Sequence, residues 1–174
     1  KELLKQFQAR GVNYIALEPG RTDTRDSLAL ARVITQAEPD QVINLSSYRA
    51  GSQLAVMDAE LHPQDCERIN HDQPSVIAQV CDHLNIPLLH LSTAYVFNGD
   101  KKLGYNEQDV VMPLGVYGAS SSRGEEAIAT ALSKHVIVRT GWIFGAGQDE
   151  HIRRWIEEAR QGEGAVMVLR RKFS

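Results

Sequence analysis

Apolar runs of strand length alternate with amphipathic stretches of helix length along this chain, and no other feature limits the fold as much. The runs are VNYIAL, QVINLSS, IPLLHLSTAYVF and HVIVRTGWIF. Parallel neighbours in a sheet need crossovers, and helices between the runs supply them, so the pattern predicts an α/β chain with a doubly wound, Rossmann-like parallel sheet. Ligands of such sheets bind beyond the carboxyl ends of the strands. NLSSY, STAY and RTGW crowd polar side chains at those ends.

Leu3, Leu4 and Phe7 recur at helical spacing, and Gly11 closes that first helix. Asp26 is the expected N-cap of SLALARVITQA, which stops at EPD. Pro63 to Asn85 reads as one long helix with Ile69, Val76, Ile77, Val80 and Leu84 on a common face. A further helix is expected from Val116 to Leu132. Another is expected in DEHIRRWIEEARQ, with Ile152, Trp155, Ile156 and Ala159 inward.

The 174 residues suit one domain, and a net charge of -3 offers no basic surface for a nucleic acid. No apolar run approaches the roughly 18 residues that span a bilayer, and KELLKQFQAR lacks the apolar core of a signal peptide. A cytoplasmic protein without membrane partners is expected. Cys66 and Cys81 have no CxxC spacing and read as reduced thiols. The six histidines lack metal-ligand spacing, so no metal site is predicted.

Three strand ends bring Asn44, Ser46, Ser47, Ser92, Thr93, Arg139 and Thr140 to one rim, and a helix entering there adds Tyr117. A hydroxyl that bonds a carbonyl oxygen, beside a phenol that donates its proton, suits a ketone receiving hydride. The competing use of any one strand-end Ser or Thr is to cap the next helix.

VINLSSY, LLHLSTAYVFNG, GYNEQDVVMPLGVYGASSSRGEE and VIVRTGWIFG, in order and with compatible spacing over nearly all of residues 23 to 145, resemble the extended short-chain dehydrogenase/reductases. The closest resemblance is to the dTDP-4-dehydrorhamnose reductase (RmlD-like) family. It implies reduction of a 4-keto nucleotide sugar by NADPH or NADH, on a Rossmann cofactor domain with a smaller C-terminal sugar-binding domain. By motif position Thr93 matches the catalytic Ser/Thr and Tyr117 the catalytic Tyr. Asp23 matches the acid near the adenine, and Thr24 beside it is assigned to the cofactor. Leu45, Ser46 and Ser47 match the residues lining the cofactor, with Tyr48 in the same block. Asn70 matches a residue of the helix behind the cofactor, and Glu107 a loop residue that ties the loop down.

Two positions depart from the family pattern. The Asp usual after ST is Ala94. The catalytic Lys that holds the ribose and favours the tyrosinate is Ser121, which can bond a ribose but brings no charge. Arg123 sits about 200° around the helix from position 121, so it faces away from Tyr117. A phenol with its ordinary pKa of about 10 stays protonated at neutral pH and can still donate, so a slow or inactive reductase is expected.

No GxxGxxG occurs, and the chain opens inside what reads as the first helix. Residues 1–174 therefore read as an NAD(P)-binding Rossmann-like domain truncated at both ends, without the first strand and glycine loop, and with most of the sugar-binding domain missing. Ser121 keeps two alternatives open. One is a nucleotide-binding regulatory or scaffold protein on the same fold, and the other is a nucleotide-sugar epimerase or dehydratase. A homodimer is left open.

Overall fold

A computed structural model describes residues 2–17, 26–49, 55–141 and 143. Strands β1 (Val42–Asn44), β2 (Leu88–Thr93) and β3 (His135–Thr140) pair in parallel in the order β1-β2-β3. The register sets Asn44 beside His90, Ser92 beside Arg139, and Thr93 beside Thr140. Helices α1 (Glu2–Ala9) and α2 (Ser27–Ala37) precede β1. The crossover from β1 to β2 contains α3 (Ala55–Leu61), α4 (Pro63–Glu67), a π-helical turn (Arg68–Asp72) and α5 (Gln73–His83). Helix α6 (Val116–Ala131) makes the crossover to β3.

Side chains alternate across each strand, so Leu88, His90 and Ser92 share one face of β2 and are all buried. On that side Leu88 joins Leu30 and Ile34 of α2, Ile77, Ala78 and Cys81 of α5, and Ile128 of α6 in the main core. The alternate residues of β3 leave Val136 and Val138 exposed on the other face. The helix expected at 149–161 lies outside the described residues, as does Trp142.

Helix ends follow their sequence signals. The Asp26 side chain accepts from the amides of Leu28 (2.9 Å) and Ala29 (3.1 Å), which satisfies donors that α2 cannot. Asn85, at φ 57°, closes α5, with the Ile86 amide on the Cys81 carbonyl at 2.9 Å. That is the left-handed C-terminal cap that Asn tolerates better than most residues.

Three expectations are corrected. VNYIAL forms no ladder, because residues 12–17 have no strand neighbour among the described residues. Strand β1 ends at Asn44, three residues before the expected stop. The single helix from Pro63 to Asn85 is interrupted by the π turn, where the Gln73 amide bonds the Arg68 carbonyl five residues back. Pro74 has no N–H to close the ordinary bond to Asn70, so a wider turn costs less here than in an unbroken helix.

That turn sets the Asn70 backbone against α6. A Cβ at Gly124 would overlap the Asn70 carbonyl, and one at Gly118 would overlap that of Tyr95. Alanine gains about 1 kcal/mol over glycine in a helix. Overlap with an immobile carbonyl costs about 1–3 kcal/mol or more. Gly124→Ala is therefore expected to lower the urea midpoint of unfolding, and an unchanged or higher midpoint would show that the two backbones have slack.

Candidate active site

Two strands end because polar side chains turn their own backbone. Asn44 Oδ1 accepts from the Ser46 amide at 3.0 Å and from Ser46 Oγ at 2.6 Å. Thr93 Oγ1 accepts from the Tyr95 amide at 3.2 Å and starts a single 3-10 turn, Ala94–Val96. Such local bonds compete with the ladder, which is why both strands stop at the rim. Thr93 thus caps a turn with a lone pair, a bond that does not use its hydroxyl proton. Leu45 is 46% exposed at the same rim.

Tyr117, in the first turn of α6, meets the β1 end. Its phenol oxygen lies 2.6 Å from Ser47 Oγ, and the Tyr95 ring stands edge-on to its ring at 5.8 Å. Burial raises the phenol above its ordinary pKa, while the Ser47 bond pulls it the other way. The Tyr117 phenol is therefore neutral at physiological pH.

Ser121 does not reach the rim. It is buried, donates to the Tyr117 carbonyl at 2.8 Å and accepts from Asn70 Nδ2 at 3.3 Å. This departs from the expectation of a ribose contact, because the short side chain satisfies itself within the helix packing. Arg123 pairs with Glu67 through both ends of its guanidinium, which ties α6 to α4 and leaves Tyr117 without it.

Asn70 joins the two halves. Its Oδ1 accepts from the Tyr48 amide at 2.7 Å, and its Nδ2 also donates to Ser120 Oγ at 3.2 Å. The Tyr48 ring packs with Ala59 and Cys66 in a second small core, and its hydroxyl donates to Asp58. Its phenol is thus directed to Asp58. Asp23 and Thr24 lie outside the described residues.

Sequence reasoning missed Glu125. It is 5% exposed, accepts from Ser92 Oγ at 2.5 Å and from Arg139 Nη2 at 2.7 Å, and the Arg139 guanidinium lies 5.1 Å over the Phe97 ring. Arg139 and Ser92, expected at the ligand rim, are thus engaged with a buried carboxylate. Its place on the buried stripe of α6, four residues after Ser121 and three before Ile128, is the signal that could have found it. Phe97 in turn stacks on Tyr105, and Lys101 pairs with Asp109 at 2.6 Å, which orders the following loop. Glu107 adds negative charge near Arg139.

His90 sits between these groups. With Asn44 Oδ1 committed to Ser46, Asn44 Nδ2 donates to His90 Nδ1 at 3.0 Å, so the ring carries its proton on Nε2. Burial lowers its pKa to about 4, against a smaller opposing pull from Glu125. The folded state thus binds this proton less readily than the unfolded chain. Stability is full above pH 6.5 and falls as pH drops toward 4, by on the order of 3 kcal/mol. Urea midpoints between pH 7 and 4 check this, and an equally steep fall in His90→Asn would show that other groups cause it.

Cys66 and Cys81 are buried free thiols, and burial raises both pKa values, Cys81 to about 11. Among the described residues no cluster of His, Cys, Asp and Glu could hold a metal ion, and no helix is long and apolar enough to cross a membrane.

A parallel sheet with hydroxyls and a half-buried tyrosine at its carboxyl rim places the protein in the Rossmann-like α/β class. The sequence pattern of the RmlD substrate binding domain matches residues 1–172, and the chain belongs to that family. It is 35% identical over 158 residues to a dTDP-4-dehydrorhamnose reductase of Sinorhizobium fredii, covering 90% of this chain and 52% of the relative. Identity to the enzyme of that name from Streptomyces griseus is 32% over 170 residues, covering 97% and 54%. The solved dTDP-4-dehydrorhamnose reductase of Clostridium acetobutylicum superposes with a TM-score of 0.82 at 27% identity, over 92% of this chain and 55% of the other. One from Bacillus anthracis, in complex with NADP, shares the fold with a TM-score of 0.82 at 24% identity, over 92% and 55%. The chain spans about half the length of the relatives it matches.

Proposed function

We propose that the chain carries the proton-donor site and part of the cofactor site of an NAD(P)H-dependent reductase acting on a 4-keto nucleotide sugar, of the dTDP-4-dehydrorhamnose type. The observation that carries this is the neutral Tyr117 phenol held 2.6 Å from Ser47 at the strand ends. Thr93 donates its hydroxyl proton as a hydrogen bond to the keto oxygen, and Tyr117 delivers the proton that completes the alcohol. A bound nicotinamide cofactor, NADPH or NADH, supplies the hydride.

The rim fits that cofactor's nicotinamide end. Leu45 offers an open apolar side chain for a flat ring, and Ser46 and Ser47 beside it are half-buried. Residues 1–174 are assigned to the Rossmann-like part of such an enzyme, in the cytoplasm. The inward turn of Ser121 favours one second reading, a nucleotide-binding regulatory or scaffold protein that keeps the fold without turnover.

Fluorescence titration of the full-length protein with NADPH and NADH, followed by loss of absorbance on adding a 4-keto deoxysugar nucleotide, separates the two. Turnover that falls at least about a hundredfold in Tyr117→Phe supports the reductase. Binding without turnover, with turnover gained in Ser121→Lys, supports the regulatory reading. Absence of cofactor binding sinks both.

A further inference from the structure

In a site of this family a lysine cation four residues after the tyrosine is expected to stabilise the tyrosinate, and here that position is a serine turned inward. The nearby arginines are committed elsewhere. Arg123 is paired with Glu67, Arg139 with Glu125, and Arg49 with Asp58 at 2.6 Å. The polar atom that does reach the Tyr117 oxygen is Ser47 Oγ, at 2.6 Å across 70 positions of sequence.

Both ends of that contact are held from behind. Asn70 fixes the turn carrying Ser47 through the Tyr48 amide. The close approach of Gly118 to the Tyr95 carbonyl fixes the first turn of α6. A contact braced on both sides does not depend on a surface rotamer.

We propose that Ser47 is a catalytic residue of this site, its hydroxyl donating to the Tyr117 oxygen while the phenol gives up its proton, in place of a cation at position 121. The inference rests on the reductase reading. In the step, the phenol O–H bond breaks and its proton bonds to the carbonyl oxygen, while hydride from the nicotinamide bonds to the carbonyl carbon and oxidises the cofactor. Ser47 keeps its own proton throughout. Its bond to a neutral phenol becomes a charge-assisted bond to a phenolate, about twice as strong, so the stabilisation is larger after proton transfer than before. The phenolate recovers a proton from water once the alcohol has left.

Carbon-13-labelled tyrosine in the full-length protein lets NMR follow the Tyr117 phenol, assigned by its absence in Tyr117→Phe. Ser47→Ala is expected to raise the phenol midpoint by about one pH unit and to lower kcat about tenfold with KM little changed. Ser47→Thr, which keeps the hydroxyl, is expected to restore both. In a Ser121→Lys background the loss from Ser47→Ala is expected to shrink, because a cation then shares the task. Turnover with an unmoved phenol midpoint in Ser47→Ala, or a rise in KM alone, would sink the proposal and leave the reductase reading standing. A moved midpoint in a wild-type protein that turns over no ketone would sink the reductase reading, and Ser47's catalytic part with it.

Discussion

The side-chain amide of Asn70 is the contact on which the arrangement of this site depends. It is buried, and it faces two elements, the turn after β1 and helix α6, that also meet through the Ser47–Tyr117 contact. Its oxygen takes the Tyr48 amide from the turn after β1, and its nitrogen gives to Ser120 and Ser121 of α6. A buried polar group without partners is costly, so an amide satisfied at both ends favours one separation between the strand end and the helix over its neighbours. The Ser47 and Tyr117 oxygens are close because that separation is set behind them.

Buried polarity follows the same logic at the sheet. Glu125 is matched by Ser92 and Arg139, and His90 is kept neutral by an amide whose orientation Ser46 decides. Removing one partner from such a set leaves the others desolvated and unpaired, which costs more than the bond itself. These residues give β2 and β3 their placement against α6, and the apolar core beneath them need only fill space.

Much of this was legible in the sequence because it is local. The Asp26 cap, the span of α2 and the start of α6 at Val116 all rest on residues within a turn of one another. The ends of β1 and β2 were read too long, because Asn44 and Thr93 look like strand residues until their side chains are seen bonding their own backbone. Pro74 signalled the π turn, though apolar periodicity on both sides masked it. Of the residues expected at the rim, Ser47 and Tyr117 meet each other while Ser92 and Arg139 meet Glu125, and neither pairing was visible in the sequence. Ser47 and Tyr117 are adjacent only after two crossovers, and nothing near Ser121 in the sequence says that it points inward. Glu125 was hidden for the same reason, since its partners come from strands β2 and β3.

Helix α6 also touches its surroundings through bare backbone at Gly118 and Gly124, so main-chain contacts share with the Asn70 and Glu125 side chains in setting its position. Those two glycine contacts carry no functional group, so the placement of the helix that bears Tyr117 rests in part on positions that the chemistry leaves untouched, and a larger side chain at either one would displace the rim without altering a rim residue.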